Sequence, residues 1–298
     1  MRLVTLRDGG GLETAALADG GRFVPIEAIN RAAGKSWSSD CYTLLQTGEF
    51  DRLRDWYRAG GRKQLETLPG VEAEAVDFAP LYRHPRKIWG IGMNYAQKAV
   101  DLNSAPPEAE PICFMKPDTS LIGPGDAIVL PAASAEHVTS EAELGIVIGR
   151  ACKDVSEADA LEAVAGFTPT LDMTCQDIHA RNPRFLQRSK VFDTFFSFGP
   201  ELVTPDEIAE LRGIAVETVL NGQVVHSGTV AHMVYSPALI VAYFSRMMTL
   251  LPGDIIMTGA PGSVPLRSGD RTECRMTGFR ALVNPVVPQS VPTLLARG

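Results

Sequence analysis

From Thr139 to Gly149 the chain reads as an extended segment whose faces alternate: Ala142, Leu144, Ile146 and Ile148 fall on one side, Glu141 and Glu143 on the other. A second apolar, β-prone run, Val164 to Thr174, carries Asp172 near its end. Strands are also predicted at Arg2 to Leu6 and Thr14 to Ala18, followed by amphipathic helices over Pro25 to Ala33 and Glu49 to Arg58. In the second helix Phe50, Leu53 and Trp56 recur at i, i+3 and i+6, a packing stripe. A proline-punctuated connector, Phe78 to Pro85, then leads into a longer region rich in strands and turns. Its turns are marked by Gly123-Pro124-Gly125-Asp126, Pro252-Gly253-Asp254 and Asn221-Gly222. The last predicts a hairpin between Glu217 to Leu220 and Gln223 to Val225. Helices are expected at Glu157 to Val164 and Ser236 to Met248. The pattern divides the chain into a small α+β module, 1–85, and a larger, predominantly β region, 86–298; no internal repeat points to a solenoid.

Composition narrows the function classes. Lys and Arg number 28 against 35 Asp and Glu, a net charge of −7, so the chain lacks the basic footprint of a nucleic-acid binder. No apolar run is long enough to span a bilayer, and the opening MRLVTLRDGG has no basic stretch followed by an apolar one, so neither a membrane partner nor a signal peptide is expected. The five cysteines are scattered without CxxC spacing, which fits a reduced, cytoplasmic protein with neither a disulfide framework nor a zinc site.

The acids carry the candidate chemistry. Glu141 and Glu143 repel each other on one strand face unless solvent screens them or a cation lies between them, and paired carboxylates suit Mg²⁺, Mn²⁺ or Ca²⁺. Asp172, near the end of a buried run, needs a partner or a metal, or else starts a turn or helix. Together the three would supply oxygen ligands and leave positions for water and substrate.

The ordered motifs Gly90-Ile91-Gly92-Met93-Asn94-Tyr95, Phe114-Met115-Lys116-Pro117, Gly123-Pro124-Gly125-Asp126, Glu141-Ala142-Glu143-Leu144, Leu171-Asp172-Met173-Thr174, Lys190-Val191-Phe192-Asp193, Met248 to Asp254 and Thr258 to Gly262 resemble those of the fumarylacetoacetate hydrolase family. The resemblance runs from about Lys87 to Val287, and the preceding module looks like the small N-terminal domain of bacterial members. It implies a mixed β-sandwich roll, usually a homodimer, that binds Mg²⁺ or Mn²⁺ (Ca²⁺ in some crystals) through residues matching Glu141, Glu143 and Asp172. It further implies a small anionic 2-oxo or 2,4-dioxo acid substrate, passed through an enolate-like species whose charge a divalent ion holds. Lys190 matches a family lysine that would place a fixed positive charge beside the developing oxyanion.

The chain departs from the family pattern at three places. Hydrolytic and decarboxylating members read Asn-Tyr-x-x-His-x-x-Glu, whose His-Glu pair handles water; here Lys98 and Asp101 occupy those positions. Lysine is no general base at neutral pH unless its pKa falls by several units, so Lys98 acts either as a depressed base or as a charge that holds the substrate. The frequent Ala-Arg-Asp becomes Cys175-Gln176-Asp177, which removes a bidentate carboxylate clamp, while His179 just beyond offers a replacement base or a structural ring. Thr-Gly-Thr-Pro becomes Thr258-Gly259-Ala260-Pro261, losing a pocket hydroxyl. Between Ile178 and Lys190, Arg181, Arg184 and Arg188 add a basic stretch suited to an anionic substrate or to a partner subunit. The polar Lys98 to Pro111 segment stands where relatives carry a lid. The expected activity is Mg²⁺-dependent hydrolysis of a C–C bond. The alternatives are decarboxylation, tautomerisation or 2-keto-3-deoxy acid dehydration at the same site, and, from another class, metal binding without catalysis.

Overall fold

The computed structural model describes residues 1–95, 110–132 and 137–289. Its centre is a long antiparallel hairpin, Val138–Ile148 paired with Val164–Cys175, buried along its whole length. The apolar side chains of one face, Ala142, Leu144, Ile146, Leu171 and Met173 among them, pack into a core shared with Val216, Cys274, Met276, Leu282 and Val286. Those last residues belong to a five-stranded sheet in the order Gln223–Thr229, Ala215–Leu220, Arg271–Met276, Leu282–Pro288, Ile128–Leu130. The two layers make the β-sandwich expected of the family resemblance. It is mixed, since Ile255–Met257 runs parallel to Ile88–Gly92, and Leu282–Pro288 parallel to Ile128–Leu130.

The opposite face of the hairpin is polar: Thr139, Glu141 and Glu143 on one strand, Thr168, Thr170, Asp172 and Thr174 on the other. Gly145 is required there, because a Cβ would lie 2.5 Å from Thr170 Cγ2. The larger sheet continues from the hairpin in both directions. On one side Glu201–Val203 pairs with Arg2–Arg7, so the N-terminal strands extend the same sheet across residue 85. A second core joins Leu3, Leu17, Ile29, Leu44 and Leu53 of the N-terminal part to Phe196, Phe198, Ile255 and Met257.

Several elements differ from their expected form. The helix expected over Glu157 to Val164 is only a 3₁₀ helix, Ala160–Ala163, which ends where the strand begins, with the Ala163 carbonyl accepting from the N–H groups of Gly149 and Arg150 (2.7 and 3.1 Å). The helix expected at Ser236 to Met248 is Pro237–Met247, with Ser236 accepting from Leu239 N–H as its cap. Helix Glu49–Trp56 stops short of Arg58 and passes into a π-type turn, Tyr57–Gly61, where a Cβ on Gly61 would strike the Trp56 ring at 2.5 Å. Short helices at Cys41–Gln46 and Gln176–Arg181 have too little periodicity to be read from sequence.

Candidate active site

Register assembles the acids. Glu141 lies directly opposite Asp172 and Glu143 opposite Thr170, so the three carboxylates occupy one face of two adjacent strands. Each offers an oxygen within 4.8 Å of the others, and their residues are 6, 1 and 0 % exposed. Asp172 stands three residues before its strand ends, so it is a cross-strand partner of Glu141 and not the start of the following helix. Three carboxylates this close and this dry require compensating charge.

Part of that charge comes from two buried lysines. The Lys190 ammonium contacts Asp172 Oδ2, lies 2.8 Å from Thr174 Oγ1 and 3.9 Å from Glu141 Oε2, and sits over the Phe114 ring at 4.3 Å. Lys116, at the end of strand Ile112–Lys116, lies 2.7 Å from the other oxygen of Asp172. Burial pushes Asp172 up, but the two ammoniums outweigh it and hold the carboxyl below its usual range. Burial pulls Lys190 down, yet Asp172 and Glu141 prevail and leave it raised. For Lys116 burial prevails over Asp172, and its ammonium is lowered to about 8.

Three carboxylates and two ammoniums leave one negative charge when all are ionised. An all-oxygen, buried, net negative donor set of this spacing fits a hard divalent cation, and with such an ion the cluster turns net positive, as an anionic substrate needs.

The backbone around Glu143 is equally constrained. Its Oε2 accepts from Gly259 N–H at 2.5 Å. Gly259 has φ of +89°, and a Cβ there would sit 2.7 Å from Asn94 Cβ. Asn94, fully buried, donates to the carbonyls of Thr258 (2.7 Å) and Tyr235 (3.0 Å) and accepts from Tyr235 N–H (2.7 Å), so it pins the turn that reaches Glu143. Ala260, in place of the family's threonine, is buried.

Of the residues singled out by sequence, Glu141, Glu143, Asp172 and Lys190 are brought together. Lys98 and Asp101, with most of the expected lid, lie outside the described residues. His179 is half-buried on helix Gln176–Arg181 and is not among the clustered ligand groups. Gln176, where the family has arginine, donates to Thr139 Oγ1 at 3.0 Å. Within the basic stretch Arg181 pairs with Asp177 at 3.5 Å, Arg184 and Arg188 are exposed, and Lys190 alone turns inward. Lys116 and Asn94 join the site without a distinct functional signal in the sequence. Lys116 shows there only as a lone charge closing the apolar run Ile112 to Met115.

A mixed β-sandwich with a buried carboxylate cluster on its central hairpin defines the class, and residues 87–287 match the fumarylacetoacetate (FAA) hydrolase C-terminal model; the chain belongs to that family. It is 35% identical over 286 residues, 93% of this chain and 87% of the relative, to human mitochondrial oxaloacetate tautomerase FAHD2A. Among solved structures it resembles maleylpyruvate hydrolase from Sphingobium sp. SYK-6 in complex with manganese(II) and pyruvate (TM-score 0.78, 28% identity, 97% of this chain and 100% of that one). It also resembles 5-carboxymethyl-2-hydroxymuconate delta-isomerase from Mycobacterium smegmatis (TM-score 0.74, 29% identity, 98% and 100%). The relatives are thus enzymes of tautomerase, hydrolase and isomerase type. Among the described residues no helix is long and apolar enough to cross a membrane.

Proposed function

We propose that this chain is a divalent-cation-dependent enzyme that stabilises the enolate of a small anionic 2-oxo acid, with keto–enol tautomerisation of an oxaloacetate-like diacid as its reaction. The observation that carries the reading is the buried juxtaposition of Glu141, Glu143 and Asp172 with the Lys190 ammonium. The three carboxylates would hold Mg²⁺ or Mn²⁺, which when bound supplies Lewis-acid polarisation of the 2-oxo group. Lys190 is kept protonated by its carboxylate neighbours, so it serves as a fixed donor toward developing oxyanion charge and not as a base. The dry setting of Phe114 and Phe195 around the two lysines strengthens that donation.

Tautomerisation only relocates a proton and needs no activated water, which agrees with lysine and aspartate at 98 and 101 in place of the histidine and glutamate that handle water in hydrolytic members. The extensive likeness to an oxaloacetate tautomerase supports the same outcome. C–C hydrolysis remains the second reading, favoured by the likeness to maleylpyruvate hydrolase. The test is product analysis of the purified protein with Mg²⁺ or Mn²⁺ on enol-oxaloacetate, acylpyruvates and 2-keto-3-deoxy acids. Metal-dependent loss of the enol absorbance without C–C cleavage is expected. Faster acylpyruvate cleavage than enol decay would replace the reading by hydrolysis, and no metal-dependent turnover of any of them would remove it.

A further inference from the structure

We infer that Lys116 is a positioning residue that sets the place of Lys190 and competes with the cation for Asp172, an inference that rests on the proposed metal site. Its side chain is fully buried, and its ammonium donates to the Met173 carbonyl at 3.1 Å and the Lys190 carbonyl at 2.7 Å while forming an ion pair with Asp172 Oδ1 at 2.7 Å. A counter-ion for Asp172 would need the ion pair alone. The two carbonyl contacts join the hairpin strand to the segment that presents Lys190. The Lys190 segment is also clamped to Lys116's own strand, Ile112–Lys116, one residue before Lys116, where Gln187 accepts from Met115 N–H (2.9 Å) and donates to Met115 O (2.6 Å). Lys116 therefore completes a three-point attachment that aims the Lys190 side chain at Asp172, Thr174 and Glu141.

The Asp172 carboxylate is divided between two ammoniums, one on each oxygen. A cation drawing on Asp172 Oδ1 does so against the positive charge of Lys116 and gains when that charge is removed. The inference thus predicts an unusual pairing of effects: loss of Lys116 tightens the metal while it slows the reaction. A purely structural lysine would weaken both.

The experiment compares parent, Lys116→Met and Lys116→Gln. Mn²⁺ affinity is measured by the EPR signal of unbound Mn²⁺, thermal stability with and without Mn²⁺, and kcat and KM on enol-oxaloacetate. Both variants lose a nearby charge and should bind Mn²⁺ on the order of tenfold more tightly, with a larger Mn²⁺-induced rise in Tm. Lys116→Met also loses the tether, and misplacement of Lys190 by about 1 Å should lower kcat roughly a hundredfold with KM little changed. Lys116→Gln keeps an amide donor for a carbonyl and should retain more of the turnover. Mn²⁺ affinity equal to or weaker than the parent's in the variants, or parental kcat in Lys116→Met, would overturn the inference. Should Lys116→Met fail to fold, parental Mn²⁺ affinity in Lys116→Gln does the same. A parent that binds no Mn²⁺ would sink the metal site and this inference together, whereas a parent that binds it with unaltered variants sinks the inference alone.

Discussion

At the scale of single residues, the site is a problem of charge in a dry place. Glu143 is nearly inaccessible, accepts from Gly259 N–H, and interacts electrostatically with Lys116 and Lys190. Glu143→Gln keeps the shape and removes the charge. Mg²⁺ or Mn²⁺ should raise the parent's Tm, by about 2.7 kcal/mol of stabilisation at a hundredfold excess over Kd, and should leave the Tm of Glu143→Gln almost unmoved. An equal shift in both proteins would place the ion elsewhere. Lys190 carries the opposite expectation. Because Asp172 retains Lys116 as a partner, Lys190→Met should cost less stability than the roughly 3–5 kcal/mol of a stranded buried charge, while turnover falls by about 10²–10³-fold. Activity equal to the parent's would remove Lys190 from the reaction.

At the scale of elements, the hairpin Val138–Ile148 with Val164–Cys175 is both core and scaffold. Its apolar face resembles any buried sheet, whereas its polar face is tolerable because threonine hydroxyls are used locally, as where Thr170 Oγ1 donates to Glu143 O at 3.0 Å. Gly145 is the place where this face admits no further atom. Gly145→Ala should therefore destabilise by about 1–3 kcal/mol through overpacking against Thr170 and Thr168, and should weaken cation binding by shifting the strand that carries Glu143. Chemical denaturation and a metal titration on the same variant would check both, and unchanged stability would mean that the strands yield more easily than their packing implies.

At the scale of the whole molecule, the N-terminal strands share a sheet and a core with the rest, so unfolding should be a single cooperative transition in calorimetry. Two resolved transitions would establish 1–85 as an independent domain. The Arg58–Asp206 pair at 3.0 Å adds a pH dependence across the same junction. Burial pushes Asp206 up, but hydrogen bonds from Arg58 and Thr204 prevail and hold it below the ordinary carboxylate range. A depressed acid stabilises the fold above its unfolded pKa of about 3.9, and that contribution is lost as pH falls through the folded value. The pair is partly exposed, so Arg58→Ala should be less stable than the parent by under about 1 kcal/mol at pH 6, with the gap closing below about pH 4. A gap independent of pH would assign the loss to packing.

The period-two strands, the Asn221-Gly222 hairpin, the helix beginning at Ser236 and the common face of Glu141 and Glu143 are legible in the sequence because they depend on neighbours a few residues apart, and the family is legible from the order of its motifs. Tertiary structure alone decided that Asp172 stands opposite Glu141, since one step of register would turn it to the other face. It also decided that Lys116 and Lys190, 74 positions apart, divide one carboxylate between them, and that the turn at Gly259 reaches Glu143. The strand pairing likewise limits the segment Glu157 to Val164 to a 3₁₀ turn: Gly149 and Arg150, at the end of one hairpin strand, donate to the Ala163 carbonyl just before the other, and that cross-strand contact is set by the hairpin's register.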